Sequence, residues 1–292
     1  MPKLAERIKL PKMGFKKEDV GDDVGAAVVL GVESVPDGLA SGLLAGVNPV
    51  AGLYAYMFGV ASAALFTSTA FMAVQGTGAM AIIVNDVDID GFEDPTRALV
   101  TLGVLTGIVM IVAGSLKLGG LLRFVSHSVM IGFISAVGLN IALGQVGDFT
   151  GYASDAGNRV TRALDTVIHP WRMDFWTVLV GVVTILLIVL LRRTKLGAMG
   201  MVVAIAAGSA LGALVGEVAI VGDIADVPEG LPSPVLPSLA EIGALLVPAF
   251  SLAFVGLVQG AGVAAAFANP DGSPGDTDRD FIGQGKGHSG AG

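Results

Sequence analysis

The sequence predicts an all-α, polytopic membrane protein. Three observations carry that reading. Of 292 residues, 53% are hydrophobic and only 14% charged, whereas a soluble domain is about a quarter charged. The charges are segregated, leaving apolar runs near the ~20 residues that cross a bilayer as a helix. One apolar stretch among these runs, Ala70–Val84, is too short to span as a single helix and carries Gly76-Thr77-Gly78 in its middle. The 42 glycines suit closely packed membrane helices. With no cysteine, there is no disulfide and no thiolate chemistry. The net charge of −8 and the lack of a basic cluster interleaved with aromatics point away from nucleic acid.

Residues 1–23 are polar and carry Lys3, Arg7, Lys9, Lys12, Lys16 and Lys17. They read as a cytoplasmic tail able to lie against anionic headgroups. A cleaved signal peptide is disfavoured, because Glu33 and Asp37 stand in the run that follows. Residues 24–267 form the predicted transmembrane domain, of about eight segments. The first span is about Val24–Ala45. Pro36 should kink or break it, since proline lacks an N–H and clashes with the preceding turn. Gly38, Gly42 and Gly46 recur every four residues and offer a flat packing face. The second span, about Val50–Thr67, is opened by Asn48-Pro49. The broken third segment ends at Asn85.

Asp86–Asp94 is an acidic loop. Asp86, Asp88 and Asp90 lack the later bidentate glutamate of a calcium loop, so solvent rather than a metal is expected there. The fourth span is about Ala98–Leu116. The fifth, about Val125–Val146, carries Asn140 and Gln145 as packing polar groups. Asp148–Asp174 reads as a polar loop, with His169 lacking an evident partner and Trp171 and Trp176 as interfacial anchors. The sixth span is about Phe175–Leu191. The seventh, about Ala198–Val221, has Gly208, Gly212 and Gly216 spaced by four. Gly222–Ser238 reads as an external loop, and the eighth span is about Ile242–Phe267. Residues 268–292 read as a polar, disordered C-terminal tail.

Basic residues mark the inner side of membrane proteins. With the N-terminus inside and eight crossings, thirteen of the Lys and Arg residues fall inside. Four fall outside: Arg97, Arg159, Arg162 and Arg172. Leaving out the short segment as a crossing destroys the asymmetry, so the count supports Ala70–Val84 as a crossing element.

A short, glycine-broken segment among full spans is the strongest sequence pointer to a transporter's binding site. Thr77–Val84 reads as a half-helix with Gln75, Gly76 and Thr77 at its mouth. Its free N–H groups and positive dipole end would then face whatever binds there. The plainer alternative is a short packed helix with a flexible glycine. Glu33 and Asp37 lie four residues apart in the first span. A carboxylate in hydrocarbon costs roughly 2.5–3.5 kcal/mol on insertion scales, so both should be in water, paired or protonated. They are candidates for proton coupling, or else line a wet vestibule and hold helices together. No Lys or Arg lies deep in a span. An anion would be held by helix ends and by hydroxyl or amide donors. Gln259 is such a donor, or makes an ordinary interhelical hydrogen bond. No hydrolase elbow, paired metal-ligand histidines or phosphate loop appears, so no enzyme, metal or cofactor is expected.

Pro36 followed by Leu43-Leu44-Ala45-Gly46-Val47-Asn48-Pro49-Val50-Ala51-Gly52-Leu53-Tyr54 resembles the signature of the SulP sulfate permease family, the prokaryotic relatives of solute carrier family 26. Ser126-His127-Ser128-Val129-Met130-Ile131-Gly132-Phe133, Leu231-Pro232-Ser233-Pro234, Val255-Gly256-Leu257-Val258-Gln259 and Asp280-Phe281-Ile282-Gly283-Gln284-Gly285 fit the same order. The resemblance implies fourteen segments in two inverted repeats of seven, with a core domain moving against a gate domain. It also implies a frequent homodimer and a cytoplasmic STAS domain. Anion would bind between the third and tenth half-helices, beside the first and eighth helices. On that basis Gln75, Gly76, Thr77, Gly78 and Ala79 map to the anion mouth, and Glu33–Asp37 to the substrate-facing part of the first helix.

Two residues depart from the pattern. Asp37 stands where the family often has glutamine, which favours proton or cation coupling. Gln259 stands where it often has glutamate. The resemblance covers the first repeat and the eighth helix, and on this reading the rest of the second repeat and the STAS domain are expected to be missing.

The expected function is a secondary active anion transporter for sulfate, bicarbonate or a dicarboxylate, coupled to a proton or sodium. It would sit in the plasma (inner) membrane with a cytoplasmic N-terminus. The alternative is a truncated, non-transporting fragment, or half of a split transporter that needs a complementing chain. A nucleobase permease is a weaker reading.

Overall fold

The computed structural model describes residues 20–120, 127–194, 196, 199–219, 232–266, 269 and 272–291. The basic N-terminal tail and most of the loop after the seventh span lie outside the described residues. Every regular element among the described residues is helical. In order they are α1 (Val20–Leu44), α2 (Pro49–Ala64), α3 (Gly78–Asn85), α4 (Pro95–Ser115), α5 (His127–Gly144), α6 (Val146–Thr150), α7 (Arg159–Ile168), α8 (Phe175–Arg192), α9 (Met199–Val215), α10 (Ile242–Ala266) and α11 (Thr277–Ala291). Within α1, α4, α8 and α10 lie runs long and apolar enough to cross a membrane, and α2 and α9 are shorter apolar helices.

The chain forms two compact units. Among the described residues, one holds those within 37–132 and 228–292, the other those within 20–36 and 133–227. The division falls at Pro36, yet α1 stays helical through the proline.

In the first unit the apolar core is built by Met80 of α3, Leu102 and Met110 of α4, Leu245, Leu252 and Leu257 of α10, and Phe281 of α11. Helices α1 and α2 approach backbone to backbone. A Cβ on Gly42 would lie 2.7 Å from Pro49 Cα, and one on Gly52 would run into the Gly38 carbonyl. Gly38 and Gly42 thus form the flat face their spacing suggests. Gly46 does something else. With φ of 71°, it lets the chain turn after α1, and Val47 N–H closes onto Gly42 O at 3.1 Å.

The polar C-terminal segment is the main correction to the sequence reading. Residues 277–291 form a helix, α11, packed against α2 and α4. Glycine is a poor helix former, but here it lets backbones touch. A Cβ on Gly285 would meet Gly107 O at 2.5 Å, and one on Gly287 would meet Ala63 at 3.0 Å. Asp280 and Gln284 are buried at 1% and 4% exposure. The same run that looks too polar and glycine-rich to fold alone is shaped to fit between two spans.

Hydrogen bonds fix how the first unit is strung. At one end, Gly119 N–H donates to Asp278, Arg279 donates to Phe66 O, and Ser68 and Thr69 donate to Asp280. At the other, Arg97 donates to Leu236 O and Ser238 N–H to Thr101. The chain therefore leaves α2 at the first end, starts α4 at the second and finishes α4 back at the first. Ala70–Val84 is the segment that carries it across, as a non-helical run over residues 72–77 followed by α3.

In the second unit α8 and α9 form a packed pair, with Gly208 seated against Thr184 and Gly200 against Leu191. The stretch read as a polar loop contains the end of α6 and all of α7. Asn158 and Thr161 form a capping box at the start of α7. Val160, Leu164, Val167 and Ile168 share one exposed face of that helix, with Arg159, Arg162 and Asp165 turned away from it. His169 has a partner after all: its Nδ1 lies 3.0 Å from Asp165 Oδ1. Ser154 and Tyr152 also donate to Asp165, and Arg172 donates to the Tyr152 hydroxyl. These bonds, Ser154's foremost, hold the Asp165 carboxyl below the usual carboxylate range.

Candidate functional site

The site belongs wholly to the first unit and starts from Thr77. Its backbone is extended (φ −101°, ψ 156°), its side-chain oxygen accepts from Met80 N–H at 3.3 Å, and its carbonyl accepts from Ala81 N–H at 2.8 Å. Threonine favours this capping geometry. The cap satisfies one of the orphan N–H groups of α3. Those of Gly78 and Ala79 stand at the mouth with the positive end of the helix dipole. Ala79, Met80, Ala81 and Ile82 are buried, so the helix starts inside packed protein, where an irregular backbone is tolerated.

From α10, Gln259 meets this mouth. Thr77 Oγ1 donates to Gln259 Oε1 at 2.7 Å. The hydroxyl is thus used twice, as cap acceptor and as donor. From α2, Tyr56 approaches on another side. Its hydroxyl oxygen lies 2.6 Å from Gly76 O, 3.0 Å from Asp37 Oδ2 and 3.0 Å from Ser41 Oγ.

A cavity of about 710 Å³ opens at the mouth, with Ser41, Tyr56, Gly76, Thr77, Met80 and His288 in its wall. Among the described lining residues there is no lysine or arginine. Positive potential there comes from the helix end, not from a buried cation.

The sequence-predicted residues sort as follows. Gln75, Gly76, Thr77, Gly78 and Ala79 are contiguous at the start of α3, Gln259 bonds to them, and Asp37 joins through Tyr56. Asp37 itself is exposed and stands outside the cavity wall. Glu33, one turn earlier on α1, belongs to the other unit. Tyr56, Ser41 and His288 were missed. The first two had a signal: small residues at Gly42 and Gly52 set the pairing of α1 with α2 and bring Tyr56 beside Asp37. His288 had none, because its helix was read as a tail.

A half-helix that starts inside a helical membrane domain, faced by an amide from a neighbouring span, places the chain among membrane folds built on broken helices. The model of the Sulfate permease family matches residues 21–290, and the chain belongs to that family. It is 31% identical over 263 residues to the probable sulfate transporter 4.2 of Arabidopsis thaliana, covering 84% of this chain and 38% of the relative. It is 27% identical over 264 residues to a probable sulfate transporter of Mycobacterium tuberculosis, covering 87% of this chain and 47% of the relative.

The fold is similar to that of the transmembrane domain of a cyanobacterium bicarbonate transporter, BicA. The TM-score is 0.78 at 22% identity, over 95% of this chain and 73% of that one. It is also similar to SLC26A9, with a TM-score of 0.77 at 21% identity, over 95% of this chain and 48% of that one. The chain spans less than half the length of these two sulfate-transporter relatives.

Proposed function

We propose that this chain carries the anion-binding half of a secondary active transporter for sulfate, bicarbonate or a dicarboxylate, coupled to a proton or another cation. The observation that carries the reading is the α3 mouth. The start of α3, with its dipole and Thr77 cap, opens beside a cavity with no lysine or arginine in its described wall, and Thr77 and Gln259 are bonded to each other there. Such a mouth favours an anion held by neutral donors. Family membership supports it, as do relatives named as sulfate and bicarbonate transporters. The proposed setting is a multi-pass protein of the plasma membrane, N-terminus inside, working as a homodimer or with a chain that supplies a facing half-helix.

The test is uptake of radiolabelled sulfate and bicarbonate into proteoliposomes under an imposed proton or sodium gradient. It is run with the chain alone and with a co-expressed chain carrying the remaining segments of the fold. Uptake that is lost in Thr77→Pro supports the site. Uptake indifferent to Thr77→Pro would overturn the site, and no binding of either anion in both preparations would overturn the function.

A further inference from the structure

Helix α7 covers its polar side and leaves its apolar side bare. Residues 152–156, which lead into it, fold back along the polar side. Tyr152 and Ser154 donate to Asp165, and Arg162 Nε donates to Ala156 O at 2.8 Å. A second side, with Ala163 and Thr166, is buried. The remaining side carries Val160, Leu164, Val167 and Ile168, each more than half exposed. A helix this short does not hold by itself in water, yet α7 is tied at both ends. Asn158 and Thr161 box its start, and His169 N–H donates to Asp165 O at 3.1 Å at its end. The bare face is therefore preformed. In water it would leave four large apolar side chains wet while the loop shields groups that water solvates well.

The neighbouring elements indicate what covers that face. α7 ends at Ile168, and at Phe175 begins the α8 run that is long and apolar enough to cross a bilayer. α6 touches both α7 and α8. Asp174 N–H donates to Thr150 O at 2.9 Å, so the end of α6 meets the start of α8. α7 thus lies beside the end of a span, where hydrocarbon gives way to water. Trp171, in the link between the two helices, is exposed, and tryptophan concentrates at that depth. Arg162 and Arg172 are exposed as well. Each spends one N–H on a neutral oxygen, Ala156 O and the Tyr152 hydroxyl respectively. A guanidinium has five N–H groups, and the others suit lipid phosphate.

We propose that α7 is a membrane-surface helix of the second unit. It lies in the plane of the bilayer that α8 crosses, with Val160, Leu164, Val167 and Ile168 at the boundary of headgroups and acyl chains and Arg162 and Arg172 at the phosphates. The partner is a phospholipid surface. Ten residues of helix offer one narrow stripe, well short of the roughly 800 Å² per partner that a stable protein interface buries. An in-plane helix needs only that stripe. The seat does not depend on which solute the protein carries.

The test uses the full chain in phosphatidylcholine vesicles, spin-labelled at single introduced cysteines, since the chain has none of its own. Leu164→Cys and Val167→Cys probe the bare face. Asp155→Cys, exposed in the preceding loop, is the water-facing control. Collision with oxygen, which concentrates in lipid, is compared with collision with a water-soluble nickel chelate. The oxygen-to-nickel ratio should be at least about tenfold higher at positions 164 and 167 than at 155. Equal ratios at all three would place the face in water and overturn the proposal. Protection from both reagents at 164 and 167 would mean that protein covers the face, with dipolar broadening between labels marking a second copy, and would overturn it too. In Leu164→Cys combined with Val160→Asn, Val167→Asn and Ile168→Asn, the ratio should fall to the value at 155. A ratio that stays high there would show that the label, not α7, seeks lipid, and would also overturn the proposal.

Discussion

Asp280 Oδ1 accepts two hydrogen bonds from Ser68, from its N–H at 2.6 Å and its hydroxyl at 2.8 Å. Thr69 adds its own N–H and hydroxyl to the same carboxylate. These bonds tie the start of α11 to the turn that leads from α2 into the non-helical limb before α3. A carboxylate 1% exposed is tolerated because four donors converge on it.

Removing that acceptor strands buried donors. Asp280→Ala should destabilise the first unit by about 3 kcal/mol, the scale of several lost hydrogen bonds to a buried charge. Asp280→Asn, which keeps an acceptor oxygen, should cost less. Thermal unfolding in detergent, followed by circular dichroism, measures both. Equal midpoints for Asp280→Ala and the unaltered chain would contradict the tie.

The seat of α11 depends on bare backbone at Gly285. Gly285→Val places a Cβ against Gly107 O and Ile111, and should lift the helix from α4. The chain has no cysteine, so Ser289→Cys reports this cleanly. Its oxygen is buried, so maleimide labelling should be slow in Ser289→Cys alone and faster by more than about tenfold with Gly285→Val. Gly243→Ala, where a Cβ meets nothing within 4 Å, should leave the rate unchanged.

Charge at the mouth should oppose an anion. Gln259→Glu keeps an acceptor for Thr77 but adds a carboxylate 2.7 Å from its hydroxyl. Sulfate binding should weaken by more than about tenfold at neutral pH, as a like charge a few ångströms from the ligand requires. Isothermal titration calorimetry at two salt concentrations measures it. Tighter sulfate binding in this variant would exclude the α3 mouth as an anion site.

The network around Asp165 should fail in acid. Its carboxyl is held low in the folded chain, chiefly by Ser154 and then by Tyr152, with His169 beside it. A depressed carboxyl contributes stability that is full above its unfolded value, near ~3.9. That contribution is lost as pH falls through the lower folded value. Amide exchange in α7 should therefore stay slow from neutral pH down to about 4 and rise below it. In Asp165→Asn that step should vanish.

The exposed face of α7 should sit in lipid headgroups. Trp171, in the turn after α7, is 74% exposed, as Val160, Leu164, Val167 and Ile168 are also exposed. There are two tryptophans, so Trp176→Phe leaves Trp171 as the only reporter. Its fluorescence should be quenched most by lipids brominated near the headgroup, where amphipathic helices lie. Strongest quenching by lipids brominated at the chain ends would mean that α7 is buried in hydrocarbon.

Much of this protein is legible in one dimension. Hydrophobic runs of bilayer length give the long spans, because every backbone group in hydrocarbon must be bonded within its own helix. Gly76-Thr77-Gly78 marks the half-helix, because only a break there leaves N–H groups free, and Thr77 marks its cap. The register of α1 and α2 is latent in Gly38, Gly42 and Gly52. Other features needed the three-dimensional packing. Residues 277–291 are too polar and glycine-rich to form a helix on propensity, and α11 exists because its bare backbone fits against Gly107, Gly59 and Ala63. The partners of Asp280 and Gln259 lie 211 and 182 residues away in the chain, and no local pattern encodes them. Asp37 and Glu33 look alike as letters four apart. Only the arrival of Tyr56 from the neighbouring helix, 3.0 Å from Asp37, tells them apart.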